Sequence, residues 1–589
     1  MGSLLSPGIQ IVEKDNTLIV PSVATTVAGT VGAFVWGQVN DPTLIVSEKE
    51  LVETFGQPND TTYEHFFTAA NFLSYSNQLF VVRVVGDDAT NASSSATLDF
   101  DGDGTTTDFT LGFTPIDENS ITVTVDGVVA VPTTEFTVTG TTLSFVTAPA
   151  AGTGNIIVTE KQVIQNDDQF ELLTQLPSSV YARHPGDLGN SLEVILADST
   201  TFANLSTDEQ EIFGDAPAAN EIHYAVIDAD GTFTGVAGTL LERREFLSTI
   251  PGDQFDNGEI SYFKTFINRS SLYIRLTGDL TDVAPAGKVT LSGGVSDDQP
   301  SDGALQLGFD LFKQKEKLDV AILMTGPASA TVAEHVLTEV AEDRKDTVVC
   351  ISPELTDVLN NTGSEVDDIK AYRTLLGSSS YGIMDNNWKL MYDTYNDTNR
   401  WVPCNGDVAG ILARSDELTD PWISPAGYNR GIMKGVIRLA FDANQGERDI
   451  LYTSGINPII TEFGVGTLLF GDRTLLTRPS AFDRINVRRL FIVMEKSISR
   501  AAKFVLFETN DEFTRASVRN IITPFLREIQ GSRGITDFRV ICDETNNTGQ
   551  IIDNNELVVD IAVKPSRSIN FITLNFIATR TSVSFEEIV

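Results

Sequence analysis

The chain has 589 residues, 41% of them hydrophobic, and carries 81 Asp and Glu against 41 Lys and Arg for a net charge of −40. At about 100–200 residues per domain that length predicts three to five domains, and the acidity excludes general nucleic-acid binding because phosphates would repel it. No apolar run approaches the roughly 18–20 residues of a membrane span, and Cys350, Cys404 and Cys542 are too widely spaced for a disulfide framework.

Residues 1–20 hold a short alternating stretch, Ile9-Gln10-Ile11-Val12, set apart by Pro7-Gly8 and Pro21. This stretch reads as an extended arm with strand propensity, or as an ordinary first strand; the residues leave both open. Residues 21–97 predict an α/β unit. Its parts are a buried strand in VATTVAGTVGAFVWG, a helix started by the Ser47–Glu50 capping signal and ended by Gly56, a second helix from Thr62 to Ser76, and the apolar strand LFVVRVVG. Residues 98–160 have no helical period, and Asp126-Gly127 and Thr139-Gly140-Thr141 predict tight hairpins in an inserted all-β domain.

Mixed, β-rich structure is expected over 161–300, including a helix in LLERREFLSTI. Within 301–480, an α/β domain, residues 319–352 read as a βαβ unit. Residues 481–570 predict a C-terminal α/β domain opening with a helix over 484–507, and 571–589 a second extended arm in which Val583 and Phe585 alternate. The fold class is therefore α/β and α+β, multidomain, with an inserted all-β domain and strand-like arms at both ends.

Signatures of catalysis fail one by one. Gly287-Lys288 is followed by Val289 rather than Ser or Thr, and Gly464-Val465-Gly466 lacks a third glycine at dinucleotide spacing. No GxSxG elbow occurs, and the four histidines have no paired spacing. Asp99, Asp101 and Asp103 fit the first positions of a calcium loop, but the twelfth position is Thr110 instead of Glu, so an acidic turn between strands is the simpler reading. No catalytic residue, metal or cofactor is expected.

Charge is unevenly placed. Residues 481–589 carry 14 basic and 14 acidic side chains, so the whole −40 lies in 1–480, and 481–540 alone is net +4. On its first helix Arg484, Arg488, Arg489, Lys496, Arg500 and Lys503 form a candidate basic surface for an acidic partner.

Several stretches together resemble the contractile tail sheath proteins of T-even-type phages: SPGIQIVEKD, LVETFGQPND, FFTAANFLSYSNQLFVVRVV, ARHPGDLGNSL, LSGGVSD, WVPCNGDVAGILARSDELTDPWISPAGYNRG, GINPI, the run from Phe482 to Asn547, and SINFITLNFIATRTSVSFEEIV. The resemblance covers nearly the whole chain except 98–160, which is similar to β modules that such phages insert at variable positions. It implies six-membered rings stacked helically around an inner tail tube, capped by baseplate and tail-terminator proteins. Such a sheath assembles in the host cytoplasm, becomes part of the virion, and contracts to drive the tube through the host envelope. It implies no nucleotide, no direct nucleic-acid contact and no membrane insertion. Ile9, Ile11 and Val12 of one arm and Val583 and Phe585 of the other would add strands to a neighbour's C-terminal sheet. The basic helix would face the tube, or its cations would pair with acids of neighbouring subunits or with Glu495 and Glu508 nearby, and 98–160 would lie on the outer surface. A sheath of a related injection particle or secretion system, or a cytosolic α/β enzyme, remains the alternative.

Overall fold

The computed structural model describes residues 24–94, 97–111, 121–160, 164–172, 178–277, 287–570 and 573. Both arm motifs, at Ile9, Ile11 and Val12 and at Val583 and Phe585, lie outside these residues.

A seven-stranded sheet organises the middle of the molecule, in the order Thr43–Ile45, Leu79–Arg83, Ala28–Gly32, Ile322–Met324, Val348–Ile351, Gly382–Asp385, Ile456–Asn457. All pairings are parallel except the first. The segments 21–97 and 301–480, separate in chain order, thus build one sheet, and everything between Arg83 and Ile322 is an excursion from it. Its strands are apolar on both faces, as parallel strands sandwiched by helices must be. One face packs on Phe66, Phe72, Val408 and Leu412, the other on Phe309, Val332, Leu337 and Ile369. The helix Glu48–Phe55 begins where the Ser47 side chain accepts from the Glu50 amide and ends at Gly56, whose φ of 80° a side chain would resist.

The first excursion is the inserted β domain. Its sheets, Thr97–Gly102, Gly152–Glu160, Ile121–Val125, Val128–Val129 and Asp108–Thr110, Thr142–Phe145, Phe136–Thr139, enclose Phe109, Val123, Phe136, Leu143 and Ile156. The second is a four-stranded antiparallel sheet, Thr239–Ser248, Glu221–Asp228, Leu192–Asp198, Lys288–Thr290. Here the structure corrects a helix expectation: LLERREFLSTI is mostly the edge strand Thr239–Ser248, paired along Glu221–Asp228. Its Leu, Glu and Arg favour a helix locally, but pairing to a long buried neighbour outweighs a few tenths of a kcal/mol per residue.

The C-terminal region contains the helices Ile485–Ala502 and Glu512–Gly531, which share a small core of Leu490, Met494, Val518, Ile522 and Leu526. Against them lies one antiparallel pair, Ile535–Ile541 with Asp560–Pro565. The first helix is shorter than the 484–507 expected; after Ala502 the chain turns through Lys503–Val505.

Candidate assembly surface

The long helix Ile485–Ala502 carries its cations on the face turned toward the central domain. Arg489 is 5% exposed and donates to both oxygens of Asp416, itself 2% exposed, at 2.6 Å to Oδ1. It also donates to the carbonyls of Leu412 and Thr25, each at 3.3 Å. Burial pushes the Asp416 carboxyl up despite that guanidinium. Arg488 lies with its guanidinium carbon 4.6 Å from the Tyr381 and Phe482 ring centres, and its Nη2 is 3.6 Å from Glu495 Oε1. Lys496 pairs with Asp319 and approaches Asp346 at 3.7 Å, and Arg500 also pairs with Asp319. Lys503, beyond the helix end, is exposed. Five of the six basic residues that the sequence brings together are thus engaged with groups of the same chain.

Arg484 belongs to a second cluster, centred on the buried Asp472. That carboxylate accepts from Arg484 at 2.8 Å, Ser424 at 3.2 Å, Tyr452 at 3.2 Å, Ser568 at 2.6 Å and Asn570 at 3.0 Å. Burial pulls the group upward, but the hydrogen bonds from Ser568 and Asn570 and the Arg484 charge outweigh it and hold the carboxyl below its usual range. Asp472 therefore ties down the segment 566–570 where the chain leaves the C-terminal sheet. Nothing local in the sequence marks Asp472, Asp416 or Asp319 as partners. The only signal is the reverse one: two arginines, Arg488 and Arg489, set within an apolar helix face demand buried acceptors somewhere.

The terminal pair of strands has the character of an unfinished sheet. Among the described residues, Ile535–Ile541 and Asp560–Pro565 pair only with each other, so each offers an unpaired outer edge, and alternate residues along Asp560–Pro565 are solvent-facing. Arg527, Arg533, Arg539 and Arg567 are exposed around this sheet and make no ion pair among the described residues.

In the inserted domain, Asp103 accepts from the Thr105 and Thr106 amides at 2.7 and 2.5 Å, which lowers its carboxyl, and Asp101 accepts from the Gly154 amide at 2.6 Å. These oxygens cap turns. Among the described residues no group of three or more His, Cys, Asp or Glu is arranged to hold a metal, and no helix is long and apolar enough to cross a membrane.

Comparison with known proteins matches this architecture region by region. Residues 313–475 match the family described as phage tail sheath protein central domain, and 477–579 the phage tail sheath C-terminal domain. Residues 25–84 match the tail sheath protein Gp18 domain III N-terminal region. The insertion departs from this: residues 90–174 match the phage T7 tail fibre protein N-terminal domain. The tail sheath protein of Vibrio phage KVP40 is 36% identical over the whole of both chains. That of Enterobacteria phage T4 is 33% identical over 100% of this chain and 99% of its own. Among solved structures, a sheath tail protein from Listeria innocua superposes with a TM-score of 0.51 at 12% identity, covering 92% of this chain and 96% of its own, which is a likeness of fold. On full-length identity of this order, the chain belongs to the phage tail sheath proteins, structural components of the virion's tail.

Proposed function

We propose that this chain polymerises as six-membered rings stacked around an inner tail tube, between baseplate and terminator proteins, and that shortening of the stack drives the tube through the host envelope. Its role is structural, with no catalysis and no cofactor. The observation that carries the reading is the half-built sheet of the C-terminal region. Its two strands pack on the helices Ile485–Ala502 and Glu512–Gly531, and among the described residues both outer edges are open to a further strand.

Segments 1–20 and 571–589 of neighbouring copies complete that sheet by strand addition, with Ile9, Ile11 and Val12 and with Val583 and Phe585 as the alternating contacts. Four or five backbone hydrogen bonds at ~0.5–1.5 kcal/mol each amount to about 2–7 kcal/mol per arm before ordering costs. Such links survive while the globular bodies move relative to one another. The tube-facing wall is the near-neutral C-terminal region. Because Arg484, Arg488, Arg489, Lys496 and Arg500 are engaged within the chain, Lys503, Arg527 and Arg539 are the charges available to an acidic tube. The inserted domain stands on the outer surface.

The test is deletion of residues 1–20. The expected product is a folded monomer with an unchanged melting temperature that forms no tubes or rings under the electron microscope. Tubes of normal length from that deletion would defeat the arm model.

A further inference from the structure

Phe463, like Phe507 and Phe513, is an aromatic side chain left exposed. The strands Ile459–Glu462 and Gly466–Leu469 form a hairpin whose base is buried and whose residues 461–466 are all exposed. Gly464 and Gly466, at φ of 79° and 111°, close the loop in a conformation that L side chains resist, and this presents Phe463 at the crest. Phe463 is fully exposed. A phenyl ring held there by a tight turn loses its apolar surface to water unless something receives it.

At the foot of the same hairpin lies a cleft of about 990 Å³, between residues 422–430, the helix Gln445–Thr453 and the segment 566–570. Trp422, Ile423, Ala426 and Phe470 supply apolar wall. Arg430, Arg448, Arg533 and Arg567 also line it, with no ion-pair partner among the described residues. The lining carboxylates are Asp449 and Asp472, and Asp472 is committed to Arg484. Next to Phe463 the tip carries Glu462, so the hairpin presents an aromatic, acidic knob at one end and an apolar cleft with an arginine rim at the other.

We propose that the 459–469 hairpin of one copy seats Phe463 in the 422–430 cleft of a second copy, with Glu462 against the arginine rim. The inference rests on the sheath reading and adds a contact to it. Phe470 lines the cleft at the hairpin's base while Phe463 sits at its far end, so a hairpin does not fill its own cleft. The contact is head-to-tail, and a heterologous contact of this kind closes into a ring or propagates as a helix. Both outcomes suit a stacked-ring polymer.

The experiment compares the full chain with Phe463→Ser, and with the pair Phe463→Cys and Ala426→Cys, which are placed in a protein whose native cysteines are all buried. Phe463→Ser is expected to melt like the wild type and to raise the concentration needed for polymerisation about ten- to a hundredfold, the loss expected for one buried aromatic. Mild oxidation of the double-cysteine polymer is expected to give a ladder of covalent multimers that neither single variant gives. Glu462→Arg is expected to weaken assembly, and Arg448→Glu in the same chain to restore part of it. Wild-type and Phe463→Ser tubes at the same concentration would overturn the contact alone. Lost assembly without a double-cysteine ladder would place Phe463 against another surface and overturn the cleft assignment. Failure of the wild type to form any polymer, with or without tube protein, would bring down the sheath reading and this contact together.

Discussion

Strand Ile322–Met324 lies between two parallel neighbours and is buried along its whole length, whereas strand Asp560–Pro565 pairs, among the described residues, on one edge only and turns alternate residues to solvent. The first belongs to a seven-stranded sheet; the second, among the described residues, belongs to a sheet of two strands. The joint between the two regions combines apolar packing of Ile485 and Ile492 into the core of the central sheet with ion pairs: Arg489 with Asp416, Lys496 and Arg500 with Asp319, Arg484 with Asp472.

Substitutions can break that contrast. In the central domain, Lys389 donates to Asp407 at 3.0 Å and to Asn71 at 3.1 Å, and both charged side chains are 0% exposed. Lys389→Ala leaves an uncompensated buried carboxylate, and about 3–5 kcal/mol should be lost from the unfolding free energy in urea. Arg489→Ala should cost about as much by the same mechanism but act at the joint, so that proteolysis separates 481–570 from the central domain before the latter unfolds. Replacing both partners, Arg489→Met with Asp416→Leu, should recover most of the loss. Equal loss in the double variant would show that the pair positions the helix by more than charge.

Two carboxyls should respond to pH in opposite directions. Burial pushes Asp385, in the central sheet, up to about 7 from 3.8, against the Asn387 amide and the Ser352 hydroxyl that favour its ionised form. Its native form holds a proton that the unfolded chain has lost, so stability from this group falls as pH rises from about 4 to about 7 and is level above. Asp385→Asn should flatten that slope in a pH series of melting temperatures. Asp472 is held below 3.8, so its contribution is present above that pH and is lost as pH falls below it. Acid should therefore loosen the segment 566–570, which faster amide hydrogen exchange there at acid pH would read, and Asp472→Asn should open the segment to tryptic cleavage after Arg567 at neutral pH. The smallest effect is expected at the exposed Lys564–Asp537 pair, 3.1 Å apart across the terminal hairpin. Lys564→Ala should leave the melting temperature unchanged.

Local pattern carried much of the architecture. Apolar runs at 79–83, 322–324 and 348–351 declared buried parallel strands because strands covered on both faces contain little else. The Ser47 and Gly56 signals bounded a helix, and Asp126-Gly127, with both residues at positive φ, turned the insertion's hairpin. The edge strand Thr239–Ser248 defeated the same logic, since its helix-favouring composition yields to a partner found only in three dimensions.

By itself the sequence determined that this is an acidic multidomain α/β chain with an inserted β domain, a basic C-terminal helix and the motifs of a sheath, because period, turn chemistry and composition are properties of neighbouring residues. Only the tertiary structure decided that 21–97 and 301–480 share one sheet, and that Asp416, Asp319 and Asp472 absorb the helix's cations. It also decided that, among the described residues, the terminal sheet holds two strands. The reason is physical: strand order and ion-pair partners depend on contacts between residues tens to hundreds of positions apart, and no local preference encodes them.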